Sequence, residues 1–357
     1  MTVYEEVVII LQKLNIILWG DISMKKHWII RAVLYAVMML MLIFDAKTAL
    51  NGAKEGTHAC INTVIPALFP LLFLSVLING SITGNSIPIL KPLGKLCKIP
   101  SGAESILLLG LIGGYPVGAQ CIYQAYECKH ITKSEAERML GFCNNAGPAF
   151  IFGMASSLFN EPFMCWLLWG VHIASALMIG ILLPGKQTNR TVSIQPKNIT
   201  ISKALTISGN TILHICGWVI LFRVIISIAE RWLKLICTAE VLAVITGFFE
   251  LTNGCIAAAG ITDEALRFIC VSGMLALGGC CVFMQTVAAT KDLGIGQYFQ
   301  GKVLQCMVSI LLSSLLMMTP KRQYIPIFAI LILEIIILVI YLRKKTVAFH
   351  NNVVYNQ

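Results

Sequence analysis

The chain has 357 residues, of which 57% are hydrophobic and only 12% are charged, and its mean hydropathy is +0.81. Soluble domains carry about 25% charged residues, so this composition excludes a water-soluble fold. The apolar runs are continuous rather than alternating, which also excludes a transmembrane β-barrel. We therefore expect an all-α polytopic membrane protein that contacts the lipid bilayer.

The net charge of +10 comes from 27 basic and 17 acidic residues. Basic residues fall in short segments between apolar runs, such as Lys25-Lys26 and Arg343–Lys345, where the positive-inside bias places them. This topology explanation is sufficient, so the charge does not indicate a nucleic-acid partner. An anionic substrate would also suit a basic protein, and that explanation stays open.

Apolar windows of the length needed to cross a bilayer, roughly 20 residues, recur along the chain. They lie at 28–45, 59–79, 104–122, 142–159, 163–183, 204–229, 235–259, 265–289, 303–319 and 324–342. Residues 1–23 contain a run too short to span, and form either an interfacial helix or an extension before the natural start. The polar stretches then divide the chain into a first helix and connector (24–58), a first repeat (59–183), a polar loop (184–203), a second repeat (204–319), and a last helix with a basic tail (320–357).

Short identities recur in the same order in the two halves of the chain. They pair Asn62-Thr63 with Asn210-Thr211, Gly118 with Gly254, and Gly147 with Gly278. This order predicts two weakly related repeats with broken or re-entrant helices. The charge pattern places 46–58 and 184–203 on opposite membrane faces, which favours an inverted relation between the repeats. An inverted repeat needs an odd number of crossings, so we expect one of the four apolar segments of 59–183, the one around 142–159, to be re-entrant or only half-crossing.

Two motifs rich in Gly, Pro and Asn interrupt the apolar runs of the first half, GGYPVGA at 113–119 and FCNNAGP at 142–148. Such breaks free backbone groups that lipid cannot satisfy, so they persist where they are buried in protein or line a cavity. In transporters these places hold substrates and ions. The alternatives are a kink with close helix packing, or N-capping without a ligand. We predict substrate contacts from Gly114, Tyr115, Pro116, Gly118, Asn144, Asn145 and Gly147.

Glu250 is a carboxylate in an apolar run of the second half, closely followed by Thr252 and Asn253. A carboxylate at the bilayer centre costs roughly 2.5–3.5 kcal/mol on insertion scales, so it requires a partner, a proton or a cavity. We predict that Glu250 is a coupling-ion or proton site, or a ligand to a substrate hydroxyl or amine, and that Thr252 and Asn253 contact substrate. The alternative is a structural pair between Glu250 and Arg223 or another buried group.

Arg223 lies within an apolar run and is a candidate counter-charge for a dianionic substrate. It can instead extend toward Glu230 and Arg231 at the end of its helix, since long basic side chains reach from apolar surroundings to polar ones. Gln285 is a weaker candidate for the same cavity.

Other chemistries lack their signatures in the sequence. The 13 cysteines include neither a CxxC pair nor a Cys/His cluster at metal-ligand spacing, so we expect no metal site and no structural disulfide. The chain has no P-loop, HExxH or GxSxG motif. We therefore expect neither an enzyme nor a protein that uses ATP directly, and we predict no cofactor.

The chain resembles the sporulation integral membrane protein family of YlbJ type. The resemblance rests on PALFP (66–70), GGYPVGAQ (113–120), EAER (135–138), FCNNAGPAFIFG (142–153) and ELTNG (250–254), and it covers roughly residues 24–319. This family lies within the nucleoside-recognition or Gate domain group, which is related to concentrative nucleoside transporters.

The resemblance implies a multi-pass protein of the cell membrane or outer forespore membrane of a spore-forming bacterium. It also implies movement of dipicolinic acid, a small aromatic dicarboxylate, during spore formation. Gln120 stands where the family usually has Lys or Arg, so the basic contact that the family implies there does not carry over.

Three functions stay open at this point. The leading one is a secondary transporter or facilitator of a small polar or anionic metabolite. A nucleoside-type transporter is the second, and it would gain little from Arg223 because nucleosides are neutral. A non-transporting structural subunit of a sporulation membrane complex is the third. Homo-oligomer formation and sporulation membrane partners are compatible with each.

Overall fold

The computed structural model describes residues 24–82, 88–185 and 199–319, and these residues form helices without a β-strand. The helices of the first half are α1 (Met24–Phe44), α2 (Ala46–Ala59), α3 (Ile65–Ile82), α4 (Lys91–Leu96), α5 (Glu104–Ile112), α6 (Val117–Glu127), α7 (Lys133–Cys143), α8 (Pro148–Met154) and α9 (Phe163–Leu182). Those of the second half are α10 (Ile201–Leu233), α11 (Ala239–Phe249), α12 (Leu251–Ala258), α13 (Glu264–Leu277), α14 (Gly279–Thr290) and α15 (Gly296–Met317).

Five of the described helical stretches are long and apolar enough to cross a membrane. Large apolar side chains on them, such as Leu213, Met307 and Leu311, are exposed at the outer surface, as lipid contact requires. The protein is therefore an all-helical, multi-pass integral membrane protein. The five stretches are Ala46–Ile78, Phe163–Leu182, Ile201–Leu233, Glu264–Thr290 and Gly296–Met317.

The first of these stretches differs from expectation. Residues 46–58, predicted to be a polar connector, are helical and form α2, which a π-helical turn at Cys60–Val64 joins to α3. Two glycines explain why this polar segment is a packed helix, because they let α2 approach α10 closely. A Cβ on Gly52 would lie 2.7 Å from Ser227 Oγ, and one on Gly56 would lie 3.0 Å from Ile220 Cα.

Two helix pairs fold back on themselves as hairpins. Helix α5 packs against α6 across the break at 113–116, and α11 packs against α12 across the break at Glu250. In the second hairpin the backbones of Gly247 and Gly254 touch, because a Cβ on Gly254 would overlap Gly247 Cα; a Cβ on Gly247 would overlap Met274 Sδ. The hairpins at 104–127 and 239–258 thus have the shape of re-entrant segments. Segment 142–159 holds the break at 144–147 and the short helix α8, and its re-entrant or half-crossing placement stays a prediction.

Two further helices are broken without forming a hairpin. Segment 144–147 separates α7 from α8, and Gly278, with φ +80°, separates α13 from α14. A left-handed φ of this kind is accessible to glycine at little cost. Helix α7 begins at a capping box, in which the Thr132 hydroxyl accepts from the Glu135 N–H and the Glu135 carboxylate accepts from the Thr132 N–H.

Each half of the described chain therefore contains the same order of elements. A long helix (α2–α3 or α10) comes first, followed by a hairpin, a broken helix and a single membrane helix (α9 or α15). This order is what two repeats would produce, while the inverted relation between them stays a prediction. The expected extension 1–23, most of the polar loop 184–203 and the last helix with its tail (320–357) lie outside the described residues.

Candidate functional site

The breaks of the two halves meet at a cavity of about 40 Å³. Gly114, Tyr115 and Gly147 line it from the first half, and Glu250 and Thr252 line it from the second. These are five of the residues that the sequence analysis predicted as site residues. Gln285, the weaker candidate, lies in the same wall.

Gly114 and Gly147 bring the two breaks of the first half into direct backbone contact. A Cβ on Gly147 would lie 2.8 Å from the Gly114 nitrogen, which leaves no room for a side chain. Gly114 also has φ +77°, a left-handed conformation that favours glycine. Pro116 precedes α6 as its N-cap, and Gly118 in the first turn of that helix packs against the Cys143 carbonyl.

Glu250 is buried in the break of the second hairpin, with 2% of its surface exposed. Its side chain accepts from the backbone N–H of Thr252 at 2.9 Å and from that of Asn253 at 2.7 Å. These bonds make Glu250 the N-cap of α12, where two free amide groups and the helix dipole stabilise a carboxylate. Glu250 is therefore both a helix N-cap and a residue of the cavity wall.

Tyr115 joins the first-half break to the second half. Its hydroxyl donates to the Leu275 carbonyl over 3.2 Å, near the end of α13. Tyr115 lines the cavity, and the Nζ of Lys302 lies over its ring, 5.1 Å from the ring centroid. Tyr115 is therefore both a cavity wall and a link between the two broken helices.

The two predicted asparagines have different surroundings. Asn144 Oδ1 accepts from the Ala119 N–H at 3.3 Å, and its Nδ2 donates to Thr286 Oγ1 at 2.9 Å. Asn145 Nδ2 donates to the Phe142 carbonyl at 2.7 Å. Both asparagines are fully buried and neither lines the cavity. Their hydrogen bonds hold the backbone of the break at 144–147 in place.

Asn145 belongs to a buried polar cluster that the sequence analysis did not predict. Its Oδ1 accepts from Lys302 Nζ at 3.2 Å and from Gln305 Nε2 at 3.1 Å, and Lys302 Nζ also donates to Gln305 Oε1 at 2.7 Å. His172 completes the cluster, because its Nε2 accepts from the Ala146 N–H at 3.1 Å. We call Asn145, His172, Lys302 and Gln305 the lysine cluster.

The sequence did contain a signal for this cluster. Lys302 is the only charged residue of α15, and polar residues follow it at helical spacing: Gln305, Ser309 and Ser313, all of them buried. Such spacing puts the side chains on one face of the helix. A polar stripe on a membrane helix faces the protein interior, but the apolar window at 303–319 began one residue too late to include Lys302.

Six predicted residues do not line the cavity: Pro116, Gly118, Asn144 and Asn145, described above, together with Arg223 and Asn253. Arg223 donates to Glu55, and its Nη1 donates to Glu230 Oε1 at 3.0 Å, so its extension toward Glu230 is the arrangement observed. The Asn253 side chain is buried outside the wall, and its Nδ2 has no hydrogen-bond partner among the described residues. Substrate contacts by Arg223 and Asn253 stay predictions, as does the role of Glu250. In the described part of the chain no three His, Cys, Asp or Glu side chains are grouped as a metal would require.

Helical hairpins and broken helices around a shared cavity define the class of this protein: a multi-pass membrane protein whose two halves meet at a mostly apolar cavity that has the buried Glu250 in its wall. The chain is similar to the sporulation integral membrane protein YlbJ of Bacillus subtilis strain 168, with 24% identity over 336 residues that cover 79% of this chain and 80% of that protein. No family model matches the chain. No solved structure matches it either.

Proposed function

We propose that this protein is a secondary transporter or facilitator that moves a small polar or anionic metabolite across a membrane. One observation carries the proposal: helix breaks from both halves converge on one cavity, and a buried carboxyl group, that of Glu250, lies in its wall. In transporters, interrupted helices meet near the bilayer midplane and present backbone groups and helix ends to the transported solute.

The size of the cavity suits an occluded state. About 40 Å³ holds a few water molecules, since one water needs roughly 10–15 Å³ measured this way. A larger solute requires the walls to separate. The Tyr115–Leu275 hydrogen bond joins the two halves across the cavity, so separation of the halves would break it and release the tyrosine ring.

Within this proposal, dipicolinic acid is the solute we favour. The name of the Bacillus subtilis relative connects that protein with sporulation, and the resemblance to its family implies a dicarboxylate cargo at the outer forespore membrane. Glu250 is then the coupling group: it takes up a proton or a cation when the cavity opens on one side and releases it on the other.

The test is solute flux into proteoliposomes that contain the purified protein, measured with labelled dipicolinate and with labelled uridine under sodium or proton gradients. Saturable dipicolinate flux above that of empty liposomes supports the proposal. Flux of uridine alone would replace it with nucleoside transport. A folded protein that moves neither solute under any gradient would overturn transport and favour a structural subunit of a sporulation membrane complex.

A further inference from the structure

Lys302 is a buried lysine within a membrane-spanning helix. Only 2% of its surface is exposed. Its ammonium faces two amide oxygens, those of Asn145 and Gln305, and the face of the Tyr115 ring. All three of these partners are neutral, and Lys302 forms no salt bridge with a described residue.

Hydrogen bonding alone does not account for a lysine at this position. Asn145 Oδ1 also accepts from Gln305 Nε2 at 3.1 Å, so the break at 144–147 is held to α15 without Lys302. A neutral donor could satisfy Gln305 Oε1, and it would avoid the cost of a full charge away from water. An ionisable residue inside a membrane protein that lacks a counter-charge is a candidate for functional contact with a charged solute.

The ammonium lies just behind the cavity wall. Tyr115 lines the cavity with its ring, and the same ring covers Lys302 at 5.1 Å. Ala146 and Gly147, directly after the Asn145 that Lys302 contacts, line the cavity as well. Lys302 thus contacts two residues at the cavity: Tyr115, which lines it, and Asn145, which directly precedes two lining residues.

A second buried group in the cluster has unused hydrogen-bonding capacity. His172 accepts from Ala146 through Nε2, and its Nδ1 has no hydrogen-bond partner within the described residues. With Nε2 accepting, a neutral imidazole carries its proton on Nδ1. Within the described residues, the lysine cluster therefore contains a lysine amine without an acidic partner and an N–H donor without an acceptor, and a bound carboxylate would satisfy both.

We propose that Lys302 is the residue that binds the anionic group of the transported solute, and that the Tyr115 ring is the movable wall that uncovers it. This inference rests on the proposed transport function and specifies the solute as a carboxylate. When Tyr115 leaves Leu275, the ammonium exchanges the ring face for a carboxylate oxygen, and the amides of Asn145 and Gln305 continue to hold it. Glu250 lines the cavity from the second half, apart from this cation.

The experiment compares equilibrium binding of pyridine-2,6-dicarboxylate with that of its neutral analogue, pyridine-2,6-dicarboxamide, by ligand-induced thermal stabilisation of the detergent-purified protein. The wild type is expected to prefer the dicarboxylate by at least tenfold, and Lys302→Met is expected to lose that preference. Lys302→Arg keeps the charge and should keep most of the preference. Lys234→Met is the matched control, since Lys234 is 61% exposed and its ammonium pairs with Glu230.

Three results would overturn the proposal: an unchanged preference in Lys302→Met, an equal loss in Lys234→Met, or a wild type that prefers the amide or binds neither compound. If Lys302→Met does not fold, Lys302→Gln, which retains an amide donor for Asn145, decides by the same criterion. Preference that depends on Lys302 without any flux in proteoliposomes would uphold the anion site and overturn transport. Dipicolinate flux, together with a dicarboxylate preference that is unchanged in Lys302→Met, would uphold transport and overturn the anion site.

Discussion

Asn144 and Thr286 are hydrogen-bonded over 2.9 Å, although 142 positions separate them in the chain. Asn144 ends α7 at the first-half break, and Thr286 lies in α14, after the second-half break at Gly278. The Thr286 hydroxyl in turn donates to the Val282 carbonyl at 2.8 Å. One buried chain of hydrogen bonds therefore connects the two broken helices behind the cavity.

We expect Asn144 and Thr286 to be energetically coupled. Polar contacts between membrane helices are worth about 0.6 kcal/mol on average and at most about 1.7 kcal/mol. A double-mutant cycle with Asn144→Ala and Thr286→Val should give a coupling energy in that range, measured from unfolding in detergent mixtures. Asn62→Ala combined with Thr286→Val is the control, because Asn62 donates to His58 of its own helix. Additive effects in the first pair would show that the contact contributes nothing to stability.

The sequence predicted where the helices of this fold are interrupted better than it predicted which segments fold back. The motif around Gly114 and Gly147 marked two breaks that meet at the cavity, because a cluster of Gly, Pro and Asn interrupts an apolar run for an identifiable backbone reason. The shape of each break was not predictable in the same way. Whether a helix folds back, as at Glu250, or continues past the break depends on packing between segments that are distant in sequence, such as that of Gly118 on the Cys143 carbonyl.

In the lysine cluster, too, local sequence could indicate some of the residues but not the contacts between them. Lys302 and Gln305 form a local pattern on α15 that a search for polar stripes would have found. Their partners Asn145 and His172 come from positions more than a hundred residues earlier, and only the tertiary fold brings them together. Conversely, Arg223 had the right chemistry for a substrate contact, and the fold pairs it with Glu55 and Glu230 instead.

Gly118→Ala should destabilise the protein severely. An added Cβ would overlap the Cys143 carbonyl oxygen and lie 2.9 Å from Asn144 Cα, and both are backbone atoms that cannot rotate away. Overpacking of this kind costs about 1–3 kcal/mol, so the thermal midpoint in detergent should fall. Gly217→Ala is the matched control, since nothing lies within 4 Å of its added Cβ. A Gly118→Ala variant as stable as Gly217→Ala would contradict the packing of α6 on the 144–147 break.

Because segment 104–127 folds back as a hairpin, we expect the residues just before it and just after it to lie on the same side of the membrane. Cys128 is exposed just after α6, and Ser101 precedes α5. A membrane-impermeant maleimide should label Cys128 in the wild type, and Ser101→Cys in a Cys128→Ser background, from the same side of oriented vesicles. If the segment crossed the membrane fully, the two positions would be labelled from opposite sides.

An internal control for that labelling comes from α9. Lys98 Nζ donates to the Leu183 carbonyl at 3.0 Å, which places the approach to the hairpin beside the carboxyl end of α9. Because α9 is a 20-residue membrane helix, Asn160, just before its start, lies on the other face. Asn160→Cys in the Cys128→Ser background should therefore react only from the side opposite to Ser101→Cys. Labelling of all three positions from one side would show that the vesicles are not sealed or oriented.

Glu250→Gln should reduce dipicolinate flux in proteoliposomes by at least tenfold while the protein still folds. The glutamine oxygen can accept one of the two N–H bonds from Thr252 and Asn253, so a weakened cap should cost about 0.5–2 kcal/mol of stability at most. What the variant loses entirely is the buried charge at the cavity wall. Asp263→Asn is the matched control: Asp263 also caps a helix, accepting from the Leu266 N–H at 3.0 Å, but it is exposed and away from the cavity. Wild-type flux in Asp263→Asn together with lost flux in folded Glu250→Gln would assign the effect to the cavity carboxylate, and equal flux in both variants would reduce Glu250 to a helix cap.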